Sequence, residues 1–171
     1  MKPHLFLATL LAGAISGLAL AADEQPRQSR SDDPQKVNKF AEEESNRLLN
    51  TVGDRCRKML DAQIAINDAT KALHRVIEDT ADGTEGPEEL KACLKLAAEE
   101  KEIIDEAAKI IEIVEASKVA VAFPEFFRQV RKDMRRVQDR LTNGDAGADT
   151  QAVEYEIIQG LREMIASLRS R

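Results

Sequence analysis

Tryptophan is absent from this 171-residue sequence, and it holds only two cysteines, two histidines and one tyrosine. These shortages exclude more than they suggest. His74 is the only histidine after His4, so any Ser–His–acid triad would depend on it, and no G-x-S-x-G elbow accompanies it. No glycine-rich phosphate loop is present, and no Glu-x-x-His pair recurs as a di-iron bundle requires. Aromatics make up 4% of the chain, which argues against a sheet protein. After residue 21 no apolar run is long enough to cross a bilayer.

What is present is charge and helix-forming sequence. Charged residues are 33% and the formal net charge is -6. That balance favours solubility and gives no support to binding nucleic acid. The abundance of Ala, Leu, Glu, Lys and Arg fits long helices.

The N-terminus has the form of a secretory signal. Lys2 and His4 precede an apolar run, Leu5 to Leu20, and Ala19-Leu20-Ala21 supplies the small-x-small pattern for cleavage after Ala21. A retained anchor is the alternative, but the run is 16 residues where a span needs about 20. No cysteine follows the cleavage site to accept a lipid. The expected organisation is a signal peptide at 1–21, a polar leader at 22–33 and one helical domain at 34–171. Cleavage would move the charge to -7, because Lys2 leaves and no acid does. The expected location is outside the cytoplasm, periplasmic or secreted.

Asp33-Pro34 opens the first helix, expected over 35–79: Asp caps, and Pro tolerates the first helical position. Val52, Cys56, Met59, Ile66, Leu73 and Ile77 form a stripe at helical spacing, interrupted by Gln63 and Thr70. Gly53 is a possible break, since glycine costs about 1 kcal/mol against alanine inside a helix. Residues 81–86 (ADGTEG) read as a turn. Pro87-Glu88-Glu89 opens a second helix over 87–117, with Leu90, Ala97, Ile104 and Ile111 repeating every seven residues. Its opposite face carries Glu99, Glu102, Asp105, Glu106 and Glu112. The apolar connector KVAVAF leads to a third helix over 124–142, where Phe123, Phe127, Val130, Met134, Val137 and Leu141 alternate in steps of four and three. A second turn, NGDAGAD, precedes a final helix over 150–168, with Asp149 or Thr150 as its cap. None of these stripes can be buried alone, and the short turns return each helix antiparallel to the last. The expected fold is all-α: an elongated antiparallel hairpin or bundle of three to five helices with a narrow, alanine-rich core.

Within Leu94 to Leu168 the phrases LKLAAEEKEII, VAFPEFFRQVRKDMRRVQDRL and TQAVEYEIIQGLREMIASL stand in order around a glycine turn. This segment resembles a family of uncharacterised exported helical proteins from planctomycete bacteria. Their pattern is AFPE-x-F-x-Q-V-x-x-D-M-x-x-V-x-x-R-L, a glycine turn, then TQ-x-x-E-x-x-I-I-x-x-L-x-E-M-I. The likeness covers roughly half of the chain beyond residue 21. It implies export and a helical fold, with no activity, cofactor or catalytic residue to carry over.

Four features invite a site. Cys56 and Cys93 sit in apolar rows, where a free thiol acts as a small hydrophobe. A turn near residue 83 places Cys93 opposite residue 73, leaving Cys56 roughly 25 Å away. Buried free thiols are therefore expected, with an intramolecular or intermolecular bridge as alternatives. His74 and Glu78 share a helix face, two ligands where a metal needs more. Asn143, Asp145, Asp149 and Glu154 partly echo a calcium loop, but Gly147 and Ala148 break the pattern and turn chemistry explains it. Arg128, Arg131, Lys132 and Arg135, on the basic face of the third helix, are the candidate anion-binding residues; pairing with the acidic second helix is the simpler explanation.

The function expected is that of a non-catalytic interaction or scaffold protein of the cell envelope. It would act through a protein partner or self-association along apolar helix stripes, with no cofactor, metal or nucleic acid. The alternative is an envelope binder of an anionic ligand through the basic face.

Overall fold

The computed structural model describes residues 34–80, 85–117 and 123–169, with side chains from residue 38 onward. The expected signal peptide and leader, part of the first turn and most of the KVAVAF connector lie outside the described residues.

Four helices account for nearly everything described: α1, Pro34–Glu78; α2, Pro87–Ser117; α3, Phe123–Thr142; and α4, Ala148–Arg169. Each begins and ends within two residues of its expected place, and no strand occurs among the described residues. The all-α bundle anticipated from the periodicity is thus the fold, with four helices.

The packing follows from the stripes. The six stripe residues of α3, Phe123, Phe127, Val130, Met134, Val137 and Leu141, are all buried, together with Val52, Cys56, Met59, Ile66 and Ile77 of α1. Ile103, Ile104, Ala107, Ile110, Ile111 and Val114 of α2 meet them, as do Val153, Ile157, Leu161 and Ile165 of α4. At roughly 25 cal/mol per Å² of apolar surface removed from water, this shared core is the main force holding the helices together. Leu90 departs from expectation. It lies at the entry to α2, 39% exposed, because the described helices leave its side of that first turn uncovered.

The helices form a closed ring. α1 packs on α2 and α4, and α3 packs on the same two, while the backbones of the diagonal pairs stay apart among the described residues. This is an up-and-down four-helix bundle, in which every stripe faces two neighbours. Registers are visible in single contacts. Gln63 bonds to Glu100 across α1 and α2, Asn67 bonds to Glu154 across α1 and α4, and Arg140 bonds to Thr150 across α3 and α4.

Gly53 does not break α1, which stays helical for 45 residues, about 68 Å. Leu168, near the end of α4, lies beside Gly53. The first turns of α1 therefore run on past the end of α4, and residues 38–44 are all exposed. Phe40 stands there 73% exposed.

The expected cap of α4 needs correction. Asp145 performs the local bonding: its Oδ1 accepts from the Gly147 N–H at 2.9 Å. Thr150 is buried inside the first turn, donating to the Asp145 carbonyl at 2.8 Å and accepting from Arg140 Nε. Asp149 instead lies 3.4 Å from Arg140, which also grips Asp145 at 2.6 Å. Gly144 sits at φ 82° in this turn, a conformation that costs a side-chain-bearing residue about 1–2 kcal/mol.

Candidate functional site

The most unusual chemistry lies inside the bundle. Gln63, Asn67 and Thr70 fall on one face of α1 and are buried, and they meet two buried glutamates, Glu100 of α2 and Glu154 of α4. Gln63 and Thr70 therefore do not merely interrupt the α1 stripe: they form a polar layer within it. Unlike Glu99, Glu102, Asp105, Glu106 and Glu112 on the opposite face of α2, Glu100 and Glu154 are 0% exposed.

The two glutamates are held differently. Glu154 accepts from Asn67 Nδ2 on one oxygen and from Thr70 Oγ1 on the other, both at 2.8 Å. Lys71 Nζ donates to Asn67 Oδ1 at 2.6 Å, which orients that amide and brings a positive charge near. Burial raises the Glu154 carboxyl above its ordinary range, while the two hydrogen bonds and Lys71 pull it back. Glu100 has less help. Gln63 Nε2 donates to its Oε2 at 3.1 Å, and its Oε1 has no partner. Burial pushes this carboxyl up to about 8, the Gln63 bond lowers it, and Glu154 raises it again. Burial thus raises both acids of this core, with two hydrogen bonds and a nearby lysine opposing it at Glu154 and one hydrogen bond at Glu100.

Glu154 was legible only as the last position of a supposed calcium loop. Its side chain instead turns into the core toward Asn67 and Thr70, and Asp145 and Asp149 serve Arg140, so this loop has no shared cation cradle. Among the described residues no group of three or more His, Cys, Asp or Glu side chains gathers in a way that would hold a metal. His74 is partly exposed, with Nε2 3.4 Å from Glu78 Oε1 on the next turn.

The cysteines are free and buried. Burial pushes the Cys56 thiol up to about 12, against the lowering effect of Arg57. Cys93 is raised by burial and then by Glu85 and Asp145, and its Sγ lies 3.4 Å from the Gly144 carbonyl oxygen. A thiol so raised holds little of the thiolate that reacts or binds metal.

The basic face of α3 divides. Arg128 is taken up by Glu115 of α2 and by Glu125, which raise its pKa further. Arg131 is half-buried, its Nε lacks a partner, and its charge acts on Asp105 of α2. Lys132 and Arg135 are exposed and make no ion pair among the described residues. Neighbouring acids of α2 thus engage half of the four residues and leave the other half to solvent.

On the outside, α1 and α2 enclose a groove of about 480 Å³, with Ala62 and Ala65 on one wall and Glu99, Glu102 and Glu106 on the other. Its floor includes Met59, Ile66 and Ile103, so it lies over the Gln63–Glu100 level. No helix among the described residues is long and apolar enough to cross a membrane. No family model, curated protein or solved structure matches this chain.

Proposed function

We propose that this chain is a non-catalytic, exported interaction or scaffold protein of the cell envelope, whose working surface includes the projecting start of α1. The observation that supports this reading is Phe40, a large apolar side chain 73% exposed on turns of α1 that run past the end of α4. Burying such a ring on a partner is worth about 1.5–3 kcal/mol. The cleavable-signal pattern at residues 1–21 and the resemblance of Leu94 to Leu168 to exported planctomycete proteins support the location.

The test places a photo-crosslinking residue at position 40 in cells and compares it with one at position 68, an exposed site on the bundle body. A discrete envelope protein, or the chain itself, is expected to be trapped at 40 and not at 68. Equal trapping at both sites, or none at either, would refute the reading.

A second reading is favoured by the free charges of Lys132 and Arg135. They support an anion-binding face, with Arg131 beside them and Arg128 partly neutralised. Retention on an anionic polymer that falls with rising salt, and is lost in a Lys132→Gln/Arg135→Gln variant that folds normally, is the expected outcome. No retention at low salt would remove this alternative.

A further inference from the structure

Gln63 and Glu100 are both fully buried, and they share one hydrogen bond, amide N–H to carboxyl oxygen, at 3.1 Å. The amide oxygen of Gln63, Oε1, and the second carboxyl oxygen of Glu100, Oε1, are both buried without a partner. An ionised carboxylate and an amide oxygen are both acceptors, so they cannot satisfy each other, and leaving either bare in a core is costly. One proton resolves both. Placed on Glu100 Oε1, it turns one of two bare acceptors into an O–H donor, the kind of group the Gln63 oxygen lacks.

The surrounding charges agree. Glu154 of α4 acts against a negative charge on Glu100. On α1, Lys71 is bonded to Asn67 and lowers Glu154 instead. On α3, Arg131 acts on Asp105. On α2 itself, Glu99 lies 3.6 Å from Lys95 and Lys101 is paired with Asp105, so neither lysine is spare. No cation from any packed element is among the groups that act on Glu100.

We propose that Gln63 and Glu100 form a proton-holding acid–amide pair that locks α1 to α2, and that removing this proton at alkaline pH loosens that seam. The step is simple: hydroxide takes the Glu100 proton, water leaves, and a bare carboxylate remains in the core with the Gln63 oxygen again unpaired. The groove walled by Ala62, Ala65 and Glu102 lies at this level, on the outer side of the α1–α2 seam. The sign is fixed by linkage. The folded pair keeps its proton to higher pH than a glutamate of the unfolded chain, so its contribution is complete below the ordinary carboxyl range. It is lost as pH rises from about 4.5 through about 8.

The test compares the wild-type chain with Glu100→Gln, which keeps size and can still pair with Gln63 through two amide bonds. In the wild type, the unfolding constant measured in urea should climb by up to ~tenfold per pH unit across pH 5–8 relative to the variant. A carbon-13 label on the glutamate carboxyls should reveal one group titrating near the alkaline end of that range, missing in Glu100→Gln. Hydrogen exchange in α1 and α2 around this level, corrected for intrinsic rates, should rise with pH in the wild type alone.

The proposal is overturned if all wild-type carboxyls titrate in the ordinary range, or if both chains share one pH profile. It is equally overturned if sodium, potassium or calcium at constant ionic strength restores the wild type at pH 8, because a bound cation would then occupy the place assigned to the proton. Should the variant not fold, the carboxyl titration of the wild type decides the matter alone.

Discussion

Thr70→Val is the most direct perturbation of the polar layer. Valine has nearly the shape of threonine, and the two have similar helix propensities, so the change removes one O–H group and little else. That hydroxyl donates to Glu154 Oε1 at 2.8 Å, and both residues are 0% exposed. No water can replace it without opening the bundle. A buried acceptor stripped of its donor costs about 1–3 kcal/mol, with charged acceptors at the upper end. We expect a loss of about 2 kcal/mol at pH 8, or roughly 6–10 °C in Tm for a domain of this size.

The pH dependence sharpens this prediction. Glu154 is already raised by burial, and Thr70 is one of the bonds lowering it, so the variant should raise it further. A more strongly raised acid loses more stability as pH climbs through its folded pKa. The deficit should therefore be larger at pH 8 than at pH 4, which lies below the ordinary carboxyl value of 4.5. Urea titrations followed by helical ellipticity at the two pH values measure it. A double cycle with Glu154→Gln should cut the cost of Thr70→Val to about 1 kcal/mol, since a neutral acceptor is left instead of a charge. Thr70→Val as stable as the wild type at both pH values would refute the claim that this hydroxyl supports a buried carboxylate.

Other consequences follow from single contacts. Gly160→Ala on α4 should stabilise the bundle by up to about 1 kcal/mol, because a methyl there meets the Phe126 ring at an ordinary 3.4 Å while helix propensity improves; a lower Tm would show the ring cannot accept it. Gly144→Ala should cost about 1–2 kcal/mol from its positive φ alone, and its methyl would also stand 3.1 Å from Glu85 Oε1; an unchanged urea midpoint would contradict that turn geometry. Thiol reagents should label Cys56 only in unfolded chains, since the folded thiol is buried and pushed up to about 12; fast labelling of native protein would place Cys56 outside the core.

The sequence by itself determined the helices and most of the core. The four–three alternation from Phe123 to Leu141 is dense enough that one face of α3 had to be buried, and every one of those residues is. Glycine, proline and acidic residues around 81–89 and 143–149 marked the turns, because local backbone chemistry sets such places. What could not be read locally was partnership. Gln63 and Thr70 were visible only as faults in an apolar stripe, and Glu100 and Glu154 as two acids among thirty-one acidic residues.

Helical spacing does not say which neighbour a face will meet. Only the ring of four helices brings Gln63 to Glu100 and sets Asn67 and Thr70 against Glu154, over separations of 37, 87 and 84 residues. Likewise it is the packing of α2 on α3 that gives Arg128 to Glu115 and leaves Lys132 and Arg135 in solvent. Hydrophobic periodicity is a property of one helix. The pairing and protonation of a buried polar group depend on distance and dielectric across several, and those exist only once the chain has folded.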